Sequence, residues 1–205
     1  MKIISTLAAL PFALLVALPS AWAAGEDTYA DFKAMIDQSF KTTGIAPKHR
    51  MYQLDFQKAC SQEQPPVKAE MARIEAEQLK TIRYPADGKY LGDWKQGEKI
   101  ALDGRGLTWT DKTPLNNGGG CYNCHQLSHH EISYGTIGPS LLEYGKVRGN
   151  TEEIIKYTWG KIYNAKAFNA CSNMPRNGDA EILTEQQMKH LMAFLFDPAS
   201  PVNKK

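Results

Sequence analysis

Gly118-Gly119-Gly120-Cys121-Tyr122-Asn123-Cys124-His125 is the stretch on which the reading of this chain turns. Two cysteines separated by two residues, with a histidine directly after the second, form C-x-x-C-H, the attachment pattern for c-type haem. The order follows from the chemistry. Two thiols add across the vinyl groups of the porphyrin, and the two-residue gap matches the vinyl spacing. The next residue is carried beneath the iron, where its imidazole becomes the proximal ligand. The expectation is one covalently bound c-type haem, anchored by Cys121 and Cys124 and ligated by His125. Two other uses of paired cysteines fit less well. A zinc site needs two further ligands at workable spacing; His129 and His130 lie nearby, but no second C-x-x-C and no spaced histidine pair follows. A thioredoxin-like redox pair sits between a strand and a helix, whereas three glycines precede this one.

Working outward, the N-terminus says where such chemistry takes place. Of the first 23 residues 17 are apolar: Lys2, a greasy run from Ile3 to Leu18, then Ala21-Trp22-Ala23. That layout predicts a secretory signal peptide cut after Ala23, with small residues at the −3 and −1 positions. Bacterial haem attachment occurs in an exported compartment, so leader and motif agree on the periplasm. No later stretch approaches membrane-spanning length, and no membrane anchor is expected after cleavage. The remaining 182 residues carry 23 basic and 22 acidic side chains, a net charge of +1. A balance that close to neutral gives no electrostatic case for nucleic acid or an anionic membrane surface.

The second axial position falls to Met174, in Cys171-Ser172-Asn173-Met174-Pro175. A Met-Pro pair in a loop ahead of the last helix is how small class I cytochromes c bring a thioether to the distal face. Met188 and Met192 instead join Leu191 and Leu195 in a helical core stripe. Met35, Met51 and Met71 precede the haem motif in a separate segment, and His49, His129, His130 and His190 are further ligands in principle. A His125/Met174 pair fills both axial positions and raises the potential, which suits outer-sphere electron transfer rather than catalysis. No catalytic residue is expected in this chain.

The helical pattern agrees with a mainly α chain. Gly92 to Ala101 reads as a helix with Trp94, Gly97 and Ala101 on one face; Thr151 to Trp159 suggests another. Thr184-Glu185-Gln186-Gln187 is a capping box that opens a helix ending at Phe196, before Asp197-Pro198. In class I cytochromes c the two terminal helices cross where a glycine such as Gly97 lets their backbones approach. Likeness to that class also makes the Pro139 carbonyl the acceptor for the far nitrogen of His125, fixing its tautomer. Arg148 either reaches a haem propionate or stands in solvent. The expected layout is a leader over 1–23, a helical N-terminal extension over 24–90, and a class I cytochrome c domain over 91–205. Within the domain, Asp103 to Gly120 read as a long loop.

In the extension, Tyr29, Phe32, Ile36 and Phe40 share one helical face that ends near Gly44, Pro65-Pro66 interrupts the chain, and Val67 to Arg83 reads as a charged helix. With so few large apolar groups, it is expected to pack on the cytochrome domain. Cys60 and Cys171 are the two thiols left unassigned. Oxidising export favours a disulfide between them, which would staple the extension beside the Met174 loop.

Several runs carry a more specific likeness: Cys121-Tyr122-Asn123-Cys124-His125, Gly135-Thr136-Ile137-Gly138-Pro139-Ser140-Leu141, Leu183-Thr184-Glu185-Gln186-Gln187, and Phe196-Asp197-Pro198-Ala199-Ser200-Pro201-Val202-Asn203. Together they resemble the SoxX family, the monohaem subunit of the SoxAX cytochrome in bacterial thiosulfate oxidation. The resemblance spans roughly Gly92 to Asn203. It departs before Met174, where Asn169-Ala170-Cys171-Ser172-Asn173 stands in place of an N-P-x-T run. It implies a SoxA-like cytochrome partner, where thiosulfate is joined to a cysteine of a SoxYZ-like carrier protein, and a soluble cytochrome c as electron acceptor. On that reading this chain is the non-catalytic electron-transfer subunit of an L-cysteine S-thiosulfotransferase. The competing expectation is a free-standing periplasmic class I cytochrome c shuttle, which leaves the extension and the long loop without a role.

Overall fold

A computed structural model describes residues 27–112 and 117–204; the expected leader and Pro114 lie outside the described residues. Among the described residues the chain is helical, and the lone β contact is an isolated bridge between Thr43 and Ala46. The chain divides after Phe40 into two compact units, so residues 41–90 stand in the same unit as residues 91–205. The first unit contributes α1, Asp27–Ser39, on which Tyr29 and Phe32 pair their rings one turn apart.

The second unit holds α2 (Asp55–Cys60), α3 (Lys68–Leu79), α4 (Trp94–Leu102), α5 (Tyr144–Arg148), α6 (Glu152–Tyr163) and α7 (Glu185–Phe196). Local chemistry sets the helix starts. Asp93 caps α4 by accepting from the Lys95 N–H at 2.9 Å, so the helix opens at Trp94 and not at Gly92. Thr151 caps α6, with Glu152 and Glu153 in its first turn where the helix dipole favours them. The box at α7 is complete: the Gln187 N–H reaches Thr184 Oγ1 at 3.2 Å, and Gln187 Oε1 accepts from the Thr184 N–H at 3.0 Å.

Packing then orders these helices. α4 lies across α7, and a Cβ on Gly97 would collide with the His190 carbonyl and come within 2.7 Å of Phe194 Cβ. Only glycine allows that backbone approach. The core beneath holds Trp159, Leu191, Met192 and Phe194, each at most 3% exposed. Burying side chains of this size contributes about 1.5–3 kcal/mol each. Residues before 91 are woven into the same core. Trp159 Nε1 donates to the Arg83 carbonyl at 2.8 Å, and its ring meets Tyr90 edge-on at 5.6 Å. The buried Asn164 amide donates to Gln78 Oε1 and Thr81 Oγ1 at 3.0 and 2.9 Å, which ties the end of α3 to the end of α6.

Two segments without regular structure are nonetheless fixed. The long loop closes back on α4: the N–H groups of Gly118, Gly119 and Gly120 donate to the carbonyls of Arg105, Ile100 and Asp103 at 2.7–2.9 Å. Buried Asn117 pins it further, donating to the Ile182 carbonyl at 2.8 Å and accepting from the Leu107 N–H at 3.1 Å. At the other end, the tail run forms a cap. Asn203 Nδ2 donates to the carbonyls of Leu195 and Asp197, both at 3.0 Å, and Asn203 Oδ1 accepts from the Gly145 N–H at 3.0 Å. One side chain thus closes the C-terminus of α7 and anchors the start of α5.

Candidate functional site

These elements surround a cavity of about 520 Å³ whose lining includes Cys121, Cys124, His125, Pro139, Arg148, Cys171 and Met174. Residues far apart in sequence therefore meet around one space. Its first wall is local. After Gly120 the chain turns through a 3-10 helix, Cys121–Asn123, and the His125 N–H closes on the Cys121 carbonyl at 3.0 Å. The returning segment runs back alongside, with the Gly135, Gly138 and Leu141 N–H groups donating to the carbonyls of Tyr122, Cys124 and Gln126 at 2.8–2.9 Å.

That return fixes the imidazole. His125 Nδ1 lies 2.7 Å from the Pro139 carbonyl. A carbonyl only accepts, so Nδ1 carries a proton, and in the neutral ring it is Nε2 that offers its lone pair to an electrophile. The ring is also held sterically, because a Cβ on Gly138 would run into it. The Cys121 thiol is pushed up to about 12 by desolvation, so it is a neutral thiol rather than a thiolate. A thiol kept protonated at neutral pH is a poor redox nucleophile or zinc ligand. Among the described residues, no three His, Cys, Asp or Glu side chains come together as a metal-holding group.

The facing wall is assembled from afar. Residues 169–177, carrying Met174, run past the cavity, and α6 and α7 close it with Ile162, Leu191, Phe194 and Leu195. Cys171 is joined to Cys60 by a disulfide with a Cα–Cα distance of 5.4 Å. Arg148 reaches the lining from the end of α5, its side chain largely exposed. The other histidines and methionines are elsewhere. His49, His129 and His130 are exposed; His190 accepts from the Asp93 N–H at 2.8 Å between α4 and α7; Met188 and Met192 are core residues.

Two lining residues were not singled out by sequence. Lys161 lies on α6 beneath the rings of Tyr157 and Phe168, at 5.8 and 5.1 Å, and burial pulls its ammonium below the ordinary lysine range. Its place one turn after Tyr157 is the only sequence signal for it. Asn177 is 4% exposed, and its Oδ1 has no hydrogen-bond partner although its backbone is fixed by Ile162, Ile182 and Leu183. A buried carbonyl oxygen left unpaired costs about 1–3 kcal/mol, which a cavity occupant or its water can recover. An apolar cavity whose lining holds two thiols, an oriented imidazole, a thioether and an orphaned amide has the donor set to hold a large, flat, metal-bearing ligand.

No protein-family model matches the chain. Over 152 residues, 73% of its length, it is 38% identical to a protein of Aquifex aeolicus (strain VF5) described as an uncharacterized lipoprotein, 72% of which is covered. The chain belongs to the family of this Aquifex lipoprotein. Residues 91–205 number 115, so the family likeness to the Aquifex lipoprotein reaches well into the residues before 91. No described helix is long and apolar enough to cross a membrane.

Proposed function

We propose that the chain is an exported class I cytochrome c that carries electrons on one covalently bound haem. The single observation that carries the reading is the cavity itself, lined by Cys121, Cys124 and His125 together with Met174 from a segment some fifty residues later. Cys121 and Cys124 hold the group by thioether bonds. His125 would hold the iron through Nε2, the Pro139 carbonyl at Nδ1 maintaining its tautomer and raising its basicity. Met174 would offer its thioether as a second protein ligand to the metal, leaving less room for exogenous ligands. When bound, the group supplies a reversible one-electron couple; the apolar walls and the thioether set that couple high. The crossing of α4 and α7 at Gly97 supports the same fold reading.

The word lipoprotein in the name of the Aquifex relative supports export, because lipid attachment of that kind follows secretion. Within that compartment, the reading that accounts for most of the chain is a SoxX-like subunit. It would receive electrons as a SoxA-like partner joins thiosulfate to a SoxYZ-like carrier cysteine, and pass them to a soluble cytochrome c. The tail run Asp197 to Asn203 supports this reading by its resemblance and has a structural use here as the α7 cap. A free-standing shuttle is the second reading, favoured by the compact, self-contained site.

The test is direct. Secreted protein produced with a haem-attachment system should keep haem through denaturation, with a mass one haem above the polypeptide, and its ferrous form should resist carbon monoxide. Rapid carbon monoxide binding would remove Met174 and the electron-carrier reading together. Tagged protein drawn from thiosulfate-grown cells should bring a second haem polypeptide; a purely monomeric product supports the shuttle.

A further inference from the structure

We infer that the segment Asp55–Leu79 is a clamp that positions Met174 in the cavity, with Cys60 and Glu75 as its positioning residues. The inference rests on the reading of Met174 as the distal ligand. Locally the loop from Asn169 to Met174 is tied to the turn before it, where the Asn169 N–H donates to the Ala165 carbonyl at 3.2 Å and Lys166 Nζ to the Ala170 carbonyl at 3.5 Å, and to itself. The Cys171 N–H reaches the Asn169 side chain at 3.2 Å, Ser172 N–H the Asn169 carbonyl at 3.0 Å, and Met174 N–H the Ser172 hydroxyl at 3.2 Å. All three bonds lie within the loop, so they shape it without fixing where it sits.

Its attachments to distant sequence come from α2 and α3. Cys60, at the end of α2, is bonded to Cys171, 111 residues later and three residues before Met174. One residue earlier, the Ala170 N–H donates to Glu75 Oε1 on α3 at 3.1 Å. Ala170 itself is fully buried and packs with Phe56 and Ile74, a small core separate from the one under α7. Phe56 reaches both sides of the loop: Lys166 Nζ lies 5.3 Å from its ring centre and the Arg176 guanidinium 5.0 Å. Lys166 then donates to the Ser172 carbonyl at 2.8 Å. Covalent, hydrogen-bonded and cation–π contacts thus converge on residues 166–176 from one segment, and Met174 lies among them. A thioether is a weak ligand, so its hold on iron depends on how little freedom its loop has.

The decisive comparison uses the full-length, haem-loaded chain. Cys60→Ala with Cys171→Ala removes the bridge and leaves no free thiol facing the cavity. We expect haem to remain covalently attached, the methionine-to-ferric-iron charge-transfer band to weaken or vanish, carbon monoxide to bind the ferrous form about tenfold faster or more, and amide exchange over residues 169–174 to rise about tenfold. Glu75→Ala keeps the bridge and should shift the same readouts in the same direction by a smaller factor. Should the double variant fail to fold, a small-molecule dithiol added to folded protein opens the bridge: the dithiol closes to its own disulfide while Cys60 and Cys171 each gain one electron and one proton. Unchanged loop exchange and unchanged carbon monoxide binding, after bridge opening and in Glu75→Ala, overturn the clamp. Faster exchange with unchanged methionine ligation overturns it as well, since the bridge then stabilises the loop without positioning Met174. A chain recovered without attached haem breaks the proposed function, and loop exchange alone then decides whether the clamp holds.

Discussion

The two walls of the cavity are built on opposite plans. Cys121 to Pro139 fold against themselves: every bond that orients His125 lies within 19 consecutive residues, ending in the Pro139 carbonyl 2.7 Å from Nδ1. Residues 169–177 carry Met174 and, besides bonds to nearby residues such as Lys166 and Ile162, are joined to Cys60, Glu75 and Phe56, roughly a hundred residues earlier. A short motif can encode a firm ligand and its covalent anchors. If Met174 is the weaker ligand, its irregular loop needs a scaffold, and the proposed clamp over Asp55–Leu79 would supply it.

The strongest way to break the comparison is at the anchors. Replacing both Cys121 and Cys124 by alanine should abolish covalent haem, read as loss of the haem mass after denaturation; retained haem would remove the motif from its role. Met174→Leu comes next. It keeps the volume and apolarity of the wall and removes the thioether, so haem should stay attached while the potential falls by on the order of 100 mV in a redox titration. An unchanged potential would place the distal ligand elsewhere.

Two glycines then test how tightly each region is packed. Gly97→Ala sets a methyl against the His190 backbone, where α4 and α7 cannot easily part, and should cost about 3 kcal/mol in denaturant titration. Gly138→Ala presses on the His125 ring, whose side chain can yield more readily, and should cost about 2 kcal/mol. It should also loosen the His125–Pro139 bond, while Gly97→Ala leaves that bond alone.

The smallest effect concerns the haem-free chain. With its folded value raised from 9.0 to about 12, the Cys121 thiol favours folding below pH 9, and that contribution fades as pH climbs from 9 toward 12. Folded haem-free protein should therefore resist alkylation at Cys121 at pH 8, and unfolding should restore ordinary reactivity. Equal labelling rates in the folded and unfolded chains would show that the proximal wall does not desolvate this thiol. Once thioether-bonded, Cys121 has no proton to lose, and the alkaline loss of stability from this group should disappear.

Much of the architecture was legible because its causes are short-range. Thr184 and Gln187 stand three residues apart, the reach of a capping box, and Gly97 announced a close helix crossing. Where the reading stopped short, the missing cause was tertiary. Asp103 to Gly120 read only as a long loop because nothing in its composition reveals that Asn117 will be buried and bonded to Ile182 and Leu107. The extension looked like an appendage because Phe56, Ile74 and Ala170 make a core only when brought together. Lys161 and Asn177 carry no spacing signature and became visible only as parts of a lining.

By itself, then, the sequence determined the mainly helical character, the helix caps, the paired cysteines and the histidine that follows them. Those depend on contacts over a few residues, which a linear pattern records. Only the tertiary structure decided that Met174 and His125 line one cavity, that Cys60 meets Cys171, and that residues 41–90 belong to the same compact unit as the site. Such pairings join residues up to 111 positions apart, and the free energy that selects them comes from burial shared over the whole core.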